Sequence, residues 1–532
     1  MKKVILVIIA LLCVSGILAD GAKYLIIAPD SFVQALQPLA DWKTKKGVKA
    51  MIVPLSVTGN TATQIKNYIL NAYNNWVIRP EYILLASSGR YIPTWSISNG
   101  YYDDNYADMT GNYQIELSIG RFPCSTAVQI SNIVAKTLSY ERTPYMDDST
   151  WFLKGTTIVR EDGANPNDTI WWGNMRYLHT FWRNLAYVQI DSFSRLHGNN
   201  STDIMNAINN GRIFVAYQGL GVVNWWNPFQ FLPDNTTNNY KLPVVISSSD
   251  ASMSIRDYVY LGNRFLNTGS TINSKGAVAY FGISITASGY DLELNRGTVE
   301  KAFFKAIFEE NTCKLGDATK RAKFIIDSIQ PPNYTSTRYF EWQLFGDPEL
   351  NLWTAVPKPL TVIYDSIIHP TPCSVTVSVM SNGFPFPNAL VCLMKDTAIY
   401  EYGNTNSNGV KVFPISPQDT GTISITVTAC NRHPFEGTIR ILPEGIEERS
   451  VLDATGNMLE VYPNPAKTFF TLRLPQSADR IQIKIFDVSG KIVKEASVMT
   501  QEARISLKGI NPGVYFVQVG DEMVKEKLIV TR

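Results

Sequence analysis

Between residue 22 and about residue 353, short apolar segments alternate with longer amphipathic ones, and this pattern limits the possible folds more than any other feature. "AKYLIIAPDSF" has the composition of a buried strand, and "VQALQPLADWKTKKG" that of a helix ending in lysines and glycine. "VKAMIVPLSV", "TATQIKNYILNAYNNW" and "EYILLAS" repeat the cycle. Alternation of this kind predicts an α/β fold, a mainly parallel sheet covered by helices on both faces.

A second run of the same type begins near "GTTIVRED" and continues through "RIFVAYQG", "LPVVISSS" and "GAVAYFGIS". We therefore predict two caspase-like or Rossmann-like parallel-sheet units, residues 20–150 and 151–355, with a join near residues 142–154. Ligands of such sheets bind at the carboxyl ends of the strands. Gly219-Leu220-Gly221 and Ser249-Asp250 both follow predicted strands, so they mark a candidate site.

After "LFGDPELNLWTAVPKP" the pattern changes to short alternating runs separated by Pro, Asn and Gly, such as "SVTVSVMSNG" and "TISITVTAC". This pattern is typical of an immunoglobulin-like β-sandwich, which we predict over residues 356–445. A polar linker over residues 446–459 follows. The last segment, residues 460–532, is predicted to be a second, small all-β domain.

Charge and the amino terminus restrict the location and the partners of the chain. A net charge of +2 over 532 residues argues against a nucleic-acid partner. Residues 1–19 lie within "MKKVILVIIALLCVSGILAD", which fits a secretory signal peptide, and no later stretch is long and apolar enough to span a membrane. Export favours disulfides, so we predict one among Cys373, Cys392 and Cys430.

Several spaced segments together resemble one family. "LSIGRFPCSTAVQISNIVAKTLSYE", "YYDDNYADMTGN", "LPVVISSS", "KGAVAYFG" and "EWQLFGDPELNLW" are similar to the gingipain-type cysteine endopeptidases over roughly residues 22–355. The last domain resembles the sorting domain of the type IX secretion pathway through "VYPNPAK", "IFDVSGK" and "GVYFVQV". The resemblance implies an exported peptidase-like chain, directed to the cell surface or the medium, that engages the type IX secretion machinery.

The resemblance also implies a catalytic pair, a His in a Gly-His-Gly turn after one strand and a Cys after the next. A thiolate attacks the peptide carbonyl, and an imidazole keeps it ionised and protonates the leaving amine. In this chain Leu220 stands at the His position and Asp250 at the Cys position. Leucine has no proton to give, and a carboxylate is a poor nucleophile toward amides. We therefore expect the family's peptidase activity to be lost.

Three other sets of residues are alternatives for catalysis. Ser247, Ser248 or Ser249 would need a base, for which His197 is the nearest histidine in sequence. Cys124 follows a proline at a predicted helix start, a location that lowers a thiol pKa. An aspartic mechanism would pair Asp250 with a second carboxylate. The candidates for that second carboxylate are Asp257 and Asp291.

Two further features allow binding without catalysis. Asp103, Asp104 and Asp108 lie close together in an acidic segment and could hold calcium through oxygen ligands, although turn formation explains them equally well. No other cofactor is expected, since the four histidines and the cysteines show no metal-ligand spacing. "NWWNPFQF" concentrates Trp225, Trp226 and Phe229, which either contact a ligand or fill the core.

The sequence thus leads to one main hypothesis and two alternatives. The main hypothesis is a secreted gingipain-like homologue without catalytic activity, kept to bind a peptide, glycan or protein at the former cleft or for a surface role. The first alternative is an active proteolytic enzyme with a relocated nucleophile. The second is an adhesion protein that acts through its immunoglobulin-like domain.

Overall fold

The computed structural model forms two compact units, divided between Ile441 and Leu442. The predicted signal peptide and the predicted linker lie outside the residues that the structure describes. Those residues are 21–97, 100–163, 166–250, 252–256, 260–285, 290–329, 341–443, 460–473, 481–487, 490–500, 502–519 and 524–531.

A ten-stranded sheet forms the centre of the first unit, in the spatial order β2-β1-β3-β4-β10-β9-β8-β7-β5-β6. Its strands, labelled in chain order, are β1 (Tyr24–Ala28), β2 (Ala50–Pro54), β3 (Tyr82–Leu85), β4 (Ser118–Arg121), β5 (Lys154–Val159), β6 (Gln189–Ser194), β7 (Phe214–Gln218), β8 (Val244–Ser248), β9 (Ala279–Ile283) and β10 (Trp342–Phe345).

One strand departs from the parallel pattern and joins the two halves of the sheet. β10 pairs antiparallel with β9, through Tyr280 opposite Phe345, and parallel with β4, through Phe345 opposite Arg121. The two predicted parallel-sheet units are therefore parts of one continuous sheet, because a strand from the end of the α/β region lies between them. The prediction of a mainly parallel α/β sheet is confirmed.

Helices cover both faces of this sheet. β8 shows the two-sided burial directly, because Val244 and Ile246 pack in the core on one face and Val245 in the core on the other. Side-chain caps fix several helix starts; Thr61, for example, forms a capping box with Gln64. The helices are Val33–Lys45, Leu55–Thr58, Ala62–Asn75, Ala127–Glu141, Asn167–Asn184, Ser201–Asn210, Leu261–Asn267, Tyr290–Phe308 and Leu315–Ile329.

Short elements complete the α/β region. Three two-stranded ribbons pair Trp95–Ile97 with Gly100–Tyr102, Gly221–Val222 with Trp225–Trp226, and Gly269–Ser270 with Asn273–Ser274. Single 3₁₀ turns lie at Asp30–Phe32, Asp104–Tyr106, Ser149–Leu153 and Pro233–Asn235.

Two mainly antiparallel sheets follow and enclose a shared apolar core. Alternation along the strands produces this core: in Cys373–Ser381, Val375, Val377 and Val379 are buried between more exposed neighbours. One sheet contains Thr361–Ile363, Cys373–Ser381, Phe384–Pro385 and Val410–Ile415. The other contains Ile367–Ile368, Arg432–Ile441, Gly421–Ala429, Leu390–Lys395 and Ile399–Asn404.

These two sheets are attached to the α/β region by ion pairs and a disulfide. Arg142 and Lys45 both pair with Glu436, and Cys313 is bonded to Cys430. The predicted pairing among Cys373, Cys392 and Cys430 is wrong, because Cys373 and Cys392 are free. Cys430 follows the strand Gly421–Ala429 and meets a cysteine of the α/β region instead, a contact that sequence spacing did not reveal.

The second unit contains a three-stranded and a four-stranded antiparallel sheet around its own core. The first sheet consists of Glu460–Tyr462, Phe469–Arg473 and Glu502–Ser506, and the second of Ile492–Val498, Ile481–Asp487, Gly513–Val519 and Val524–Val530. Throughout the described part of the chain, no helix has the length and apolar character required to cross a membrane.

Candidate functional site

The candidate site lies where β7 and β8 end side by side. The two strands pair in parallel with Gln218 opposite Ser248, so the residues that follow them emerge at the same level. Leu220 follows β7 and Asp250 follows β8. The backbone N–H of Gly221 donates a hydrogen bond to Asp250 Oδ1 over 3.1 Å. The structure therefore brings together the two positions at which the sequence resemblance implies His and Cys.

Two glycines allow this close approach. Gly219 has φ of 153°, and a Cβ there would lie 2.5 Å from the Arg160 Cβ. A Cβ on Gly221 would lie only 1.9 Å from the Asp250 carbonyl oxygen. Because no side chain fits at either position, the close approach of the Gly-Leu-Gly turn to the neighbouring strand ends requires both glycines.

The side chains at the two strand ends do not form a nucleophile–base pair. Leu220 and Asp250 are both half-buried. The hydroxyl of Tyr217 lies 2.9 Å from the Leu220 carbonyl oxygen, so the turn is held by its backbone. The Asp250 carboxylate accepts a backbone hydrogen bond. Leu220 is aliphatic and cannot act as a base toward it. The carboxylate offers hydrogen-bond acceptors, and Leu220 supplies no group that could ionise a nucleophile or protonate a leaving amine.

Two of the three serines before Asp250 make local side-chain hydrogen bonds. Ser247 Oγ accepts a bond of 2.9 Å from Trp226 Nε1, and Ser249 Oγ donates to the Asp250 carbonyl oxygen at 3.2 Å. Ser248 Oγ is buried and has no hydrogen-bond partner in the described part of the chain. None of these contacts involves a general base, so they do not activate a hydroxyl.

The histidines lie elsewhere. The side chain of His197 is 58% exposed and lies 4.0 Å from Glu161, with its ring 5.3 Å from that of Trp172. His179 is buried beside the Thr157 hydroxyl, and burial lowers its pKa to about 4. His369 and His433 belong to the β-sandwich. The predicted Ser–His pairing has no support in these contacts.

Cys124 is buried in an environment that opposes ionisation. Its Sγ lies 3.4 Å from Asn267 Oδ1. Burial raises the pKa of the thiol far above its usual range, although the Lys136 ammonium acts in the opposite direction. A nucleophilic cysteine needs the opposite shift, so these surroundings favour a structural role.

The aspartic alternative depends on residues whose side chains are not described. Asp257 lies outside the described residues, and so does the side chain of Asp291. The pairing of either residue with Asp250 therefore stays a prediction.

A buried polar network beneath the strand ends was missed from the sequence. Glu293 accepts a hydrogen bond of 2.8 Å from Trp171 Nε1 and pairs with Arg296 at 3.0 Å. Arg296 also pairs with Glu341 at 3.1 Å. Burial raises the pKa of Glu293, and the charge of Asp250 adds to the increase.

A second part of this network continues from β7. Gln218 accepts a hydrogen bond of 2.9 Å from Asn174 and donates to Glu300. Burial raises the pKa of Glu300 to about 8, which keeps this carboxyl protonated at neutral pH. Glu293, Arg296 and Glu300 stand at positions i, i+3 and i+7 of one helix, and therefore on one face of it. That spacing was the available signal, but charged residues at such positions usually indicate a solvent-exposed face.

The aromatic residues after the turn are mainly part of the core. Trp226 is fully buried and Phe229 is 2% exposed. The Trp226 ring stacks on Tyr217 with centroids 4.9 Å apart. Trp225 is half-buried and is the only one of the three predicted aromatic residues with substantial access to a ligand.

The three aspartates of the predicted calcium site have different partners. Asp103 forms a two-point ion pair with buried Arg121 at 2.6 and 2.8 Å, and Asp104 pairs with Lys323. Asp108 accepts hydrogen bonds from backbone N–H groups in the turn that follows it. Calcium binding here would require these partners to move, and it stays a prediction.

Relatives with known names match most of the chain. Gingipain R1 of Porphyromonas gingivalis is 22% identical over 487 residues, which cover 87% of this chain and 45% of the relative. Gingipain R2 of P. gingivalis strain W83 is 22% identical over 96% of this chain and 68% of its own length. The chain thus spans less than half of the first of these relatives.

Solved structures give the same fold. The crystal structure of the Arg-specific cysteine proteinase gingipain R superposes with a TM-score of 0.71 and 18% sequence identity, covering 80% of this chain and 98% of that one. The complex of gingipain pro- and mature domains from P. gingivalis gives a TM-score of 0.70 at 18% identity, covering 79% of this chain and all of that one.

Family models assign both ends of the chain. A secretion system C-terminal sorting domain matches residues 460–531, which confirms the predicted sorting domain and a secreted or surface-attached protein. The model of Peptidase family C25 matches residues 17–353, more than half of the chain. With the gingipain fold and the adjacent strand ends, this match shows that the chain belongs to Peptidase family C25, the gingipain family.

Proposed function

We propose that this protein is a secreted C25 homologue that has lost the family's cysteine peptidase activity and is retained for binding at the former cleft. The observation that supports this best is the contact between Gly221 N–H and Asp250 Oδ1. It joins the two strand ends while Leu220 and Asp250 occupy the His and Cys positions. A peptide, glycan or protein ligand would meet hydrogen-bonding groups there without a nucleophile.

The size of the expected loss supports inactivity. In subtilisin, removal of the nucleophile or the base alone lowers turnover about a million-fold. Both groups are replaced in this chain. The remaining backbone donors and binding contacts could contribute only the modest acceleration that such groups give on their own.

A peptidase assay on the purified mature protein tests this proposal. We expect no cleavage of a broad peptide library and no effect of a thiol-alkylating reagent. Turnover that alkylation abolishes would contradict the proposal and direct attention to a cysteine nucleophile. Turnover that is insensitive to alkylation would instead favour a relocated serine or aspartate.

A double variant, Leu220→His with Asp250→Cys, tests whether the site geometry persists. Since the two positions are neighbours, we expect this variant to gain peptide cleavage that alkylation blocks. The two single variants are the matched controls, and each should stay inactive because a thiolate and an imidazole are both needed. A folded but inert double variant would mean that the pocket has been remodelled beyond these two side chains.

Finer features belong to the same proposal. We infer that the α/β region is caspase-like, that the two-sheet domain is of immunoglobulin type and that the sorting domain engages the type IX secretion machinery. Adhesion through the two-sheet domain is the alternative function; a variant lacking residues 356–445 that still binds the ligand would argue against it. Calcium at Asp103, Asp104 and Asp108 is testable by calorimetric titration with calcium chloride.

A further inference from the structure

A cavity of about 460 Å³ lies between the α/β region and the β-sandwich, and its lining includes no residue of β7, of β8 or of the turns that follow them. The α/β region contributes Lys314, Glu349 and Asn351 to its wall, and the sandwich contributes Tyr402 and Asn404. Sites for small molecules often lie at such junctions and have volumes of about 300–1,000 Å³. The cavity is therefore of suitable size and location for a small ligand.

A disulfide links the two walls of this cavity. Cys313 and Cys430 both line it, and their covalent bond joins one wall to the other. The sandwich and the α/β region are also joined by a hydrogen bond of 3.2 Å, which the Tyr400 hydroxyl donates to the Thr44 carbonyl oxygen. A cavity whose walls are held in this way requires little ordering when a ligand enters, which favours affinity.

The charged groups of the cavity are already paired. Lys314 pairs with Glu349, and Lys23 pairs with Glu81 at 3.1 Å. Glu349 is fully buried and also pairs with Lys43 at 2.6 Å. An ionic ligand would have to break one of these pairs, and an apolar ligand would desolvate them without compensation. The ligand that fits is polar and uncharged.

One side chain in this cavity has hydrogen-bonding capacity to spare. Asn351 is 6% exposed and is one of the residues that line the cavity. Its backbone N–H donates to Glu141, but its side chain makes no hydrogen bond to any other residue that the structure describes. A buried amide without partners is costly unless water or a ligand satisfies it.

We propose that this cavity binds a neutral saccharide of about the size of a disaccharide. Each sugar hydroxyl both donates and accepts, so neighbouring hydroxyls match an amide such as Asn351 and also bond to a carboxylate or ammonium that remains in its ion pair. Asn388 and Asn404 are exposed at the mouth of the cavity and offer two further amides. This site is independent of the proposed loss of catalysis.

Calorimetric titration of the full mature protein with cellobiose, maltose and chitobiose tests this proposal. We expect at least one of them to bind with one-to-one stoichiometry and with an affinity that is insensitive to salt, since a neutral ligand forms no ion pair. Asn351→Leu should weaken that binding about tenfold, the value of one well-placed hydrogen bond. Asn404→Trp should abolish it by filling the mouth.

Asn60→Leu is the matched control, because Asn60 is exposed and does not line the cavity. The affinity of Asn60→Leu for each sugar should equal that of the unchanged protein. The absence of heat with all three sugars would overturn the proposal, and so would equal binding to Asn351→Leu. N-acetyl-diglycine amide serves as the competing probe: binding of this blocked peptide without binding of a sugar would assign the cavity to peptide backbone instead.

Discussion

At the scale of single residues, side chains near the ends of β7 and β8 have a protonation state that is set by burial. Glu300, which contacts Gln218 of β7, is fully buried, and burial raises the pKa of its carboxyl to about 8. Gln218 donates to one carboxylate oxygen, and the other is buried without a partner among the described residues. The Glu300 carboxyl is therefore protonated and uncharged in the folded protein at neutral pH.

This shift makes stability depend on pH. Below the unfolded value of 4.5 the carboxyl is neutral in both states, so its burial carries no charge penalty. As pH rises from 4.5 toward about 8, only the unfolded chain ionises, and the free energy of unfolding falls by about 1.4 kcal/mol per pH unit. Glu300→Gln removes this dependence.

We therefore expect Glu300→Gln to gain stability relative to the unchanged protein between pH 5 and pH 8, by up to about 4 kcal/mol. The measurement is the urea midpoint at each pH. Glu309→Gln is the control, because the Glu309 side chain is 49% exposed. If the stability advantage of Glu300→Gln is the same at pH 5 and at pH 8, the Glu300 carboxyl is ionised in the folded protein, and the prediction is wrong.

The residue positions were partly predictable from sequence. Leu220 and Asp250 were placed at strand ends because both follow apolar strands in an α/β pattern, and the structure adds that these two strands are neighbours. The network of Glu293, Arg296 and Glu300 was not predictable. Whether a charged helix face is buried depends on partners distant in sequence, such as Glu341 and Trp171, and local periodicity does not contain that information.

At the scale of elements, alternation predicts strands and helices but does not order the strands. β10 is separated from β9 by a helical hairpin and returns to lie between β9 and β4. Its residues, "WQLF", are too few to show either their direction or their neighbours. The two predicted units therefore form one sheet. The position of a strand within a sheet depends on how both faces of that strand pack, and four residues do not reveal this.

The segment after β10 is held by a buried ion cluster that joins several elements. Lys43 of the helix Val33–Lys45 pairs with Glu349 at 2.6 Å and with Glu141 of the helix Ala127–Glu141 at 2.7 Å. Lys46 pairs with Glu349 at 2.5 Å. Burial would raise the pKa of Glu349, but Lys314, Lys43 and Lys46 lower it well below its usual range.

We expect Glu349→Gln to lower the free energy of unfolding by about 3–5 kcal/mol, because it leaves buried ammonium groups uncompensated. Denaturant unfolding at neutral pH measures the change. The exposed pair of Lys305 and Glu309 supplies the control, and Glu309→Gln there should cost less than about 1 kcal/mol. A small effect of Glu349→Gln would mean that water reaches the cluster.

At the scale of the whole molecule, the attachment of the sandwich to the α/β region was invisible in the sequence. Cysteine spacing suggested a bridge within residues 373–430, whereas the bond runs from Cys313 to Cys430. The choice of partner depends on how the sandwich packs against the α/β region, through contacts such as Arg142 with Glu436. The family resemblance predicted the domain series, but not this covalent link.

The link closes 117 residues of chain. In the chain-entropy account, a loop of that length stabilises the folded state by about 4–5 kcal/mol, because the unfolded chain loses freedom. The paired variant Cys313→Ser with Cys430→Ser should therefore unfold at a lower denaturant concentration than the unchanged protein. Reductant should lower the midpoint of the unchanged protein to that of the paired variant and leave the variant itself unaffected.

Cys373→Ser is the control, since Cys373 is a free, half-buried thiol, and its midpoint should move little. If reductant leaves the unchanged protein equally stable after thiol titration shows the bond to be open, the ion pairs at the junction hold the sandwich without help. A loss of stability confined to the paired variant and to the reduced protein would instead show that the bond between Cys313 and Cys430 itself stabilises the fold.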